Sequence, residues 1–161
     1  MDGYNLIGIY HKDLEKQRDR LIDSLIEYRK RRGHDITVVF DGWKTGGGPE
    51  NRSIISGIKV IYSRLGEKAD SVIKRIISSG RRGWIVVTSD RDITSHVWAS
   101  GSIPIPSEDF LNAIEKSRIE KRDKYEDDNK EYEEYIESGK RGNPKKLSKR
   151  DRAIKRVLSK L

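Results

Sequence analysis

In Trp84-Ile85-Val86-Val87-Thr88-Ser89-Asp90-Arg91-Asp92, five strand-forming residues run straight into an acidic turn. A short apolar run of this kind reads as a parallel strand buried on both faces, where polar and apolar residues no longer alternate. A second unit of the same design lies upstream, with Ile36-Thr37-Val38-Val39-Phe40 ending in Asp41-Gly42. Ile58-Lys59-Val60-Ile61-Tyr62 reads as a third strand, expected nearer an edge because Lys59 interrupts it. Ile103-Pro104-Ile105 is a fourth, and its proline also suits an edge.

Helical patterns separate these runs. Leu14, Leu21, Ile22, Leu25 and Tyr28 recur at helical spacing and lead to Arg31-Arg32-Gly33, a C-terminal stop. Ala69, Val72, Ile73, Ile76 and Ile77 do the same before Gly80, and residues 92–99 form a shorter helix. Strand–helix alternation predicts an α/β fold: a mostly parallel sheet with helices on both faces and right-handed crossovers. From Ser107 the character changes. Ser107-Glu108-Asp109 opens a helix with Phe110, Leu111 and Ile114 on its apolar side, and residues 115–138 are mainly charged. Gly139 to Pro144 breaks that helix. Ser148 then caps a basic helix carrying Ala153, Ile154, Val157, Leu158 and Leu161 on one face. The expected organisation is an α/β domain over residues 1–106 and a helical extension over 107–161 ending in a basic tail.

The 161 residues include no cysteine, which excludes disulfides, thiolate metal sites and cysteine nucleophiles. No apolar run is long enough for a transmembrane helix, and no secretory signal opens the sequence, so a soluble cytoplasmic protein is expected. The net charge of +8 is unevenly placed. Residues 1–106 carry +5 (18 basic, 13 acidic), residues 107–139 carry −6 (6 and 12), and residues 140–161 carry +9 (10 and 1). A tail of that charge points to a polyanion, since Lys and Arg gain affinity by releasing counterions from phosphates; the plainer reading is a solubilising tail. The expected phosphate contacts are Lys145, Lys146, Lys149, Arg150, Arg152, Lys155 and Arg156 in the tail, with Lys44, Arg52 and Arg91 on the domain.

In open α/β sheets the site lies beyond the carboxyl ends of the strands. Asp41 and Asp90 directly follow two of them, Asp92 comes two residues later, and Asp70 opens the helix that begins at Ala69. Asp2 lies at the chain start. Each has an ordinary structural reading, as a turn residue or a helix cap. Convergence of Asp41, Asp70 and Asp90 on one edge favours a site instead, because carboxylates gathered there repel unless a cation neutralises them. Oxygen ligands without thiolate or a histidine cluster suit Mg²⁺ or Mn²⁺. His11, His34 and His96 are far apart in sequence and have no ligand spacing.

Asp2-Gly3-Tyr4-Asn5, Val38-Val39-Phe40-Asp41-Gly42, Ala69-Asp70-Ser71-Val72-Ile73 and Val86-Val87-Thr88-Ser89-Asp90-Arg91-Asp92 resemble, in that order, the signatures of the NYN branch of PIN-like nucleases. The resemblance is to the YacP-like group, which includes a ribosome-associated mRNA endonuclease, and it covers about the first 110 residues. Gly142-Asn143-Pro144-Lys145-Lys146-Leu147-Ser148 also looks like that group. The resemblance implies a PIN-like three-layer domain and a Mg²⁺-dependent endoribonuclease of single-stranded RNA that uses metal-activated water. It places Asp2, Asp41, Asp70 and Asp90 as catalytic and metal-binding acids, Asn5 and Ser89 as polar neighbours, and Asp92 as an accessory. Its partners would be single-stranded RNA, mRNA in particular, and the ribosome, with no membrane and no nucleotide cofactor. One departure stands out: the family has a hydrophobic strand before Asp-Gly-Tyr-Asn, whereas only Met1 precedes Asp2 here. An omitted start is the expectation. On pattern alone, Leu6–Tyr10 reads as a strand.

Gly46-Gly47-Gly48-Pro49 lacks the Gly-Lys-Ser/Thr of a P-loop and reads equally as a mobile rim that admits substrate, with Trp43, Lys44 and Arg52 near its ends, or as a disordered loop. Ser89-Asp90-Arg91-Asp92 resembles the Asp-x-Asp of toprim folds, but that fold's early strand-end glutamate is missing. Against the nuclease stands a non-catalytic RNA- or ribosome-binding module of the same fold. The three surviving strand-end acids favour the enzyme.

Overall fold

The computed structural model describes residues 1–7, 13–42, 48–80, 83–126 and 148–161. In chain order the elements are α1 (Gly3–Ile7), α2 (Leu14–Arg32), β1 (Thr37–Phe40), β2 (Asn51–Ile55), β3 (Ile58–Tyr62), α3 (Ala69–Ser79), β4 (Ile85–Val87), α4 (Arg91–Ala99), β5 (Ile103–Ile105), α5 (Ser107–Glu126) and α6 (Lys149–Leu158). Asp13 caps α2 by accepting from the Lys16 amide at 3.2 Å. Gly33 ends that helix in the left-handed conformation, φ 73°, its N–H donating to the Arg29 carbonyl, as the sequence signal required.

The sheet is mostly parallel. β1 pairs with β3 in parallel, with Phe40 opposite Tyr62, and β4 pairs in parallel with β5. β2 is antiparallel to β3 across Ser56-Gly57, whose φ values of 47° and 87° are those of a two-residue hairpin turn with both central residues left-handed. The order β1-β3-β2 makes β3 central, which corrects the edge position expected from Lys59. Lys59 is exposed in that central strand because α3 covers only the part of the face holding Val39 and Ile61. The edge belongs to β2, a strand absent from the sequence-based expectation; all five of its residues are exposed, so no apolar run announces it.

Side chains alternate between two layers. Val38, Phe40, Ile58, Val60, Val87 and Ile105 face α1, α2, α5 and α6. Val39, Ile61 and Val86 face α3 and α4. Phe110, Ile114 and Leu161 belong to the first of these cores, so α5 and the end of the chain are packed onto the sheet layer. The Tyr28 hydroxyl donates to the Leu161 carbonyl at 2.7 Å. A capping box between Ser148 and Asp151 starts α6.

Asp2 bridges to Val39 in parallel on the side of β1 away from β3, and Met1 exchanges hydrogen bonds with Thr37 and Val39. The next two residues already enter α1, so Leu6 and Ile7 are helical, which corrects the strand read from pattern at that point; residues 8–10 lie outside the described residues. Between this bridge and β4 is an apolar cavity of about 240 Å³, lined by Met1, Ile36, Ile73, Trp84, Val86 and Phe110 among others. The described sheet is therefore in two pieces, with β1 and β4 on either side of the gap.

Candidate active site

Two helices start beyond the ends of β1 and β4, and each is capped by a strand-end aspartate. Asp41 accepts from the Ala69 amide at 2.7 Å, tying the end of β1 to the first residue of α3. Asp90 is the N-cap of α4: its Oδ1 accepts from the amides of Asp92 at 2.7 Å and Ile93 at 2.9 Å. The buried Thr88 hydroxyl accepts from the Asp90 amide at 3.1 Å, which fixes the turn after β4. The ordinary capping role weighed from sequence is thus real for Asp90, whereas Asp41, weighed as a turn residue, bonds the first amide of a helix distant in sequence.

Asp70, the second residue of α3, is half-buried. Burial raises its carboxyl above the ordinary aspartate value, and the charges of Asp90 and then Asp41 raise it further, with Lys74 and Lys68 opposing. A carboxylate in the first turn of a helix would ordinarily be helped by the helix dipole. Here burial and like-charge repulsion win. The three acids singled out from sequence therefore share one electrostatic field at one edge of the sheet. Asp2 is buried beside β1, in register with Val39, and its carboxylate accepts from the Tyr4 amide at 3.0 Å.

Oxygen donors alone suit a hard divalent cation. Among the described residues, no three Asp, Glu or His side chains form a group that could hold an ion. One oxygen of Asp41 and one of Asp90 are engaged by helix amides, which leaves Oδ2 of each for a ligand. That fits Mg²⁺, which keeps several waters and takes only one or two carboxylates alongside substrate phosphates.

The other sequence candidates fall in varied places. Asp92 is exposed and paired with Lys74, which lies one turn after Asp70. Lys74 was missed from sequence, although its i,i+4 spacing from Asp70 was a usable signal. The Ser89 hydroxyl accepts from the Ser107 amide at 3.2 Å and so helps start α5. Asn5 lies in α1, its side chain outside the described residues. Arg91 is exposed at the first position of α4, and Arg52 is exposed and paired with Glu50 at 2.7 Å. Lys149, Arg150, Arg152, Lys155 and Arg156 are all exposed on α6, while Val157 and Leu158 pack towards the core; Arg150 also lies over the Trp98 ring at 5.4 Å. Trp43, Lys44, the Gly46-Gly47 pair, Lys145 and Lys146 lie outside the described residues.

A family model described as YacP-like NYN domain matches residues 1–155. The chain is 30% identical over 134 residues to the protein YacP of Bacillus subtilis (strain 168), an alignment covering 76% of this chain and 78% of that one. It also superposes on the crystal structure of Rae1 (YacP) from Bacillus subtilis with a TM-score of 0.60, at 26% identity over 77% of this chain and 78% of that one. A point mutant of the same protein gives a TM-score of 0.63, at the same identity, over 77% of this chain and 79% of that one.

Proposed function

Because the chain belongs to the YacP-like NYN domain family, we propose that it is a Mg²⁺- or Mn²⁺-dependent endoribonuclease that cleaves single-stranded RNA. The observation that carries this reading is Asp70, whose carboxyl is raised first by burial and then by the charges of Asp90 and Asp41, beside the two strand ends. Two strand-end acids and one in the first turn of α3, sharing one field, form a site that gains from a cation. One or two of Asp41, Asp70 and Asp90 would hold it, with waters and the substrate phosphate completing its shell and Asp2 beside β1. When bound, it lowers the pKa of a water and offsets charge on the phosphodiester.

The remaining residues hold and orient. Thr88 fixes the backbone that presents Asp90. Asp92 holds the Lys74 ammonium beside the acids. Arg52, Arg91 and the exposed basic residues of α6 provide phosphate contacts, which set register without reading sequence. An mRNA on the ribosome in the cytoplasm is the substrate setting we propose, since α6 would meet rRNA phosphates as readily as those of the message. Among the described residues no helix is long and apolar enough to cross a membrane.

The double use of Asp41 and Asp90 as helix caps favours a second reading, a non-catalytic RNA- or ribosome-binding module. Incubation of an unstructured labelled RNA with and without Mg²⁺ separates the two. Cleavage that needs the metal and is lost in Asp70→Asn supports the enzyme. Tight binding with no cleavage in either metal supports the module.

A further inference from the structure

Just beyond the β1 terminus lies an open cleft of about 510 Å³, lined by Arg18, Gly42, Asn51, Arg52, Tyr62 and Ser63 among others. It begins one residue after Asp41. Phe40 and Tyr62 are opposite one another on β1 and β3, and their rings stack with centroids 5.7 Å apart. The Arg18 guanidinium lies over the Tyr62 ring at 5.8 Å. Asp19 at 3.1 Å and Glu15 at 3.3 Å hold Arg18 Nε and Nη2, so the side chain is fixed in place on α2. A guanidinium held beside an aromatic ring offers a partner against which an unpaired base packs, here through the 15% of the Arg18 side chain that is exposed.

Polar groups surround that pair. Asn51 and Arg52 come from the edge strand β2, and the Arg52 guanidinium is well exposed. The acidic member of the lining, Glu50, is neutralised twice, by Arg52 and by Arg75. Gly42 lies hard against the Ser63 backbone, where a Cβ would collide with the carbonyl oxygen. Ser63 is itself fixed, accepting from the Gly42 amide at 3.0 Å and donating to the Glu67 carbonyl at 2.6 Å. Two cations, an amide side chain and a stacked ring, set against the acid cluster, match one nucleotide of a single strand.

We propose that this cleft is a nucleotide subsite of the RNA strand adjoining the scissile phosphate, with the base on Arg18 and Tyr62 and its phosphate at Arg52. The proposal rests on the endoribonuclease reading, but its test does not use cleavage. Binding of a fluorescein-labelled eight-nucleotide single-stranded RNA is followed by anisotropy in EDTA over a salt series, with a thermal melt of each variant. Arg18→Gln should weaken binding about tenfold, as loss of one stacked base does. Arg52→Gln should weaken it less and reduce the salt slope by about 0.7, the share of one phosphate on a single strand. Tyr62→Phe keeps the ring and should bind like the parent. Unchanged affinity in Arg52→Gln, whose exposed position leaves folding intact, overturns the subsite even if Arg18→Gln melts early. If binding falls as expected while Asp70→Asn still cleaves, the subsite stands and the proposed catalytic centre falls.

Discussion

Asp70 carries an electrostatic cost that nothing in its own helix explains. Its raised carboxyl means that the ionised form is disfavoured in the folded chain. The sign follows directly: this group costs stability above its raised folded value, and the cost fades as pH falls through that value and the carboxyl protonates. Asp70→Asn should therefore melt at or above the parent temperature at pH 7, and the difference should shrink in acid; a mutant clearly less stable at pH 7 would contradict the shared field. Asp90 predicts a contrast between two substitutions. Asparagine caps a helix as well as aspartate does, so Asp90→Asn should keep the melting temperature and lose cleavage. Asp90→Ala should lose cleavage and also about 1 kcal/mol of stability, read by chemical denaturation. The positions of these acids were legible because strand-end residues follow apolar runs. Arg18 and Thr88 were not, since their importance comes from what tertiary packing sets beside them, while Lys74 offered only its i,i+4 spacing from Asp70.

Elements with a strong apolar pattern are legible almost to the residue, and those without one are not. β3 and β5 fall at their expected bounds because their pattern is set by burial, and α3 matches because Val72, Ile73 and Ile77 are all buried. β2 is held by its ladder with β3 and by the Ser56-Gly57 turn, neither of which needs apolar side chains. The gap between β1 and β4 gives a prediction at this scale. Burial lowers the Met1 ammonium to about 6, against 8.0 for an ordinary N-terminus, with Asp2 opposing. A base whose folded value is depressed contributes stability above pH 8 that is lost as pH falls towards 6. Adding four or five apolar residues ahead of Met1 should remove that dependence. The added segment should also line the cavity and pair with β1, raising the melting temperature. Denaturation of both chains between pH 9 and pH 6 checks this. An extended chain with the same pH slope, or a lower melting temperature, would count against it.

Across the whole molecule, charge and packing are divided between the two faces of α6. The excess positive charge lies in the last 22 residues, and sequence alone leaves open whether they are more than a solubilising tail. Leu161 in the core and the Tyr28 hydroxyl on its carbonyl tie the end of the chain to the fold, so deleting it would confuse binding with stability. Exposed cations are the cleaner target. Lys149→Gln, Arg152→Gln and Arg156→Gln together should leave the melting temperature unchanged. They should lower the salt slope of RNA binding by up to about 2, at roughly 0.7 for each phosphate no longer neutralised. An unaltered slope would make α6 a structural element only.

Whether the three acids form a catalytic centre is tested most directly by cleavage of an unstructured end-labelled RNA across a Mg²⁺ titration, run side by side for the parent and Asp70→Asn. The parent should cut internally, with a rate that rises with Mg²⁺ and vanishes in EDTA, while Asp70→Asn binds the RNA and leaves it whole at every Mg²⁺ concentration. Cutting that persists in EDTA, or an Asp70→Asn chain as active as the parent, would contradict a metal-dependent centre built on these acids.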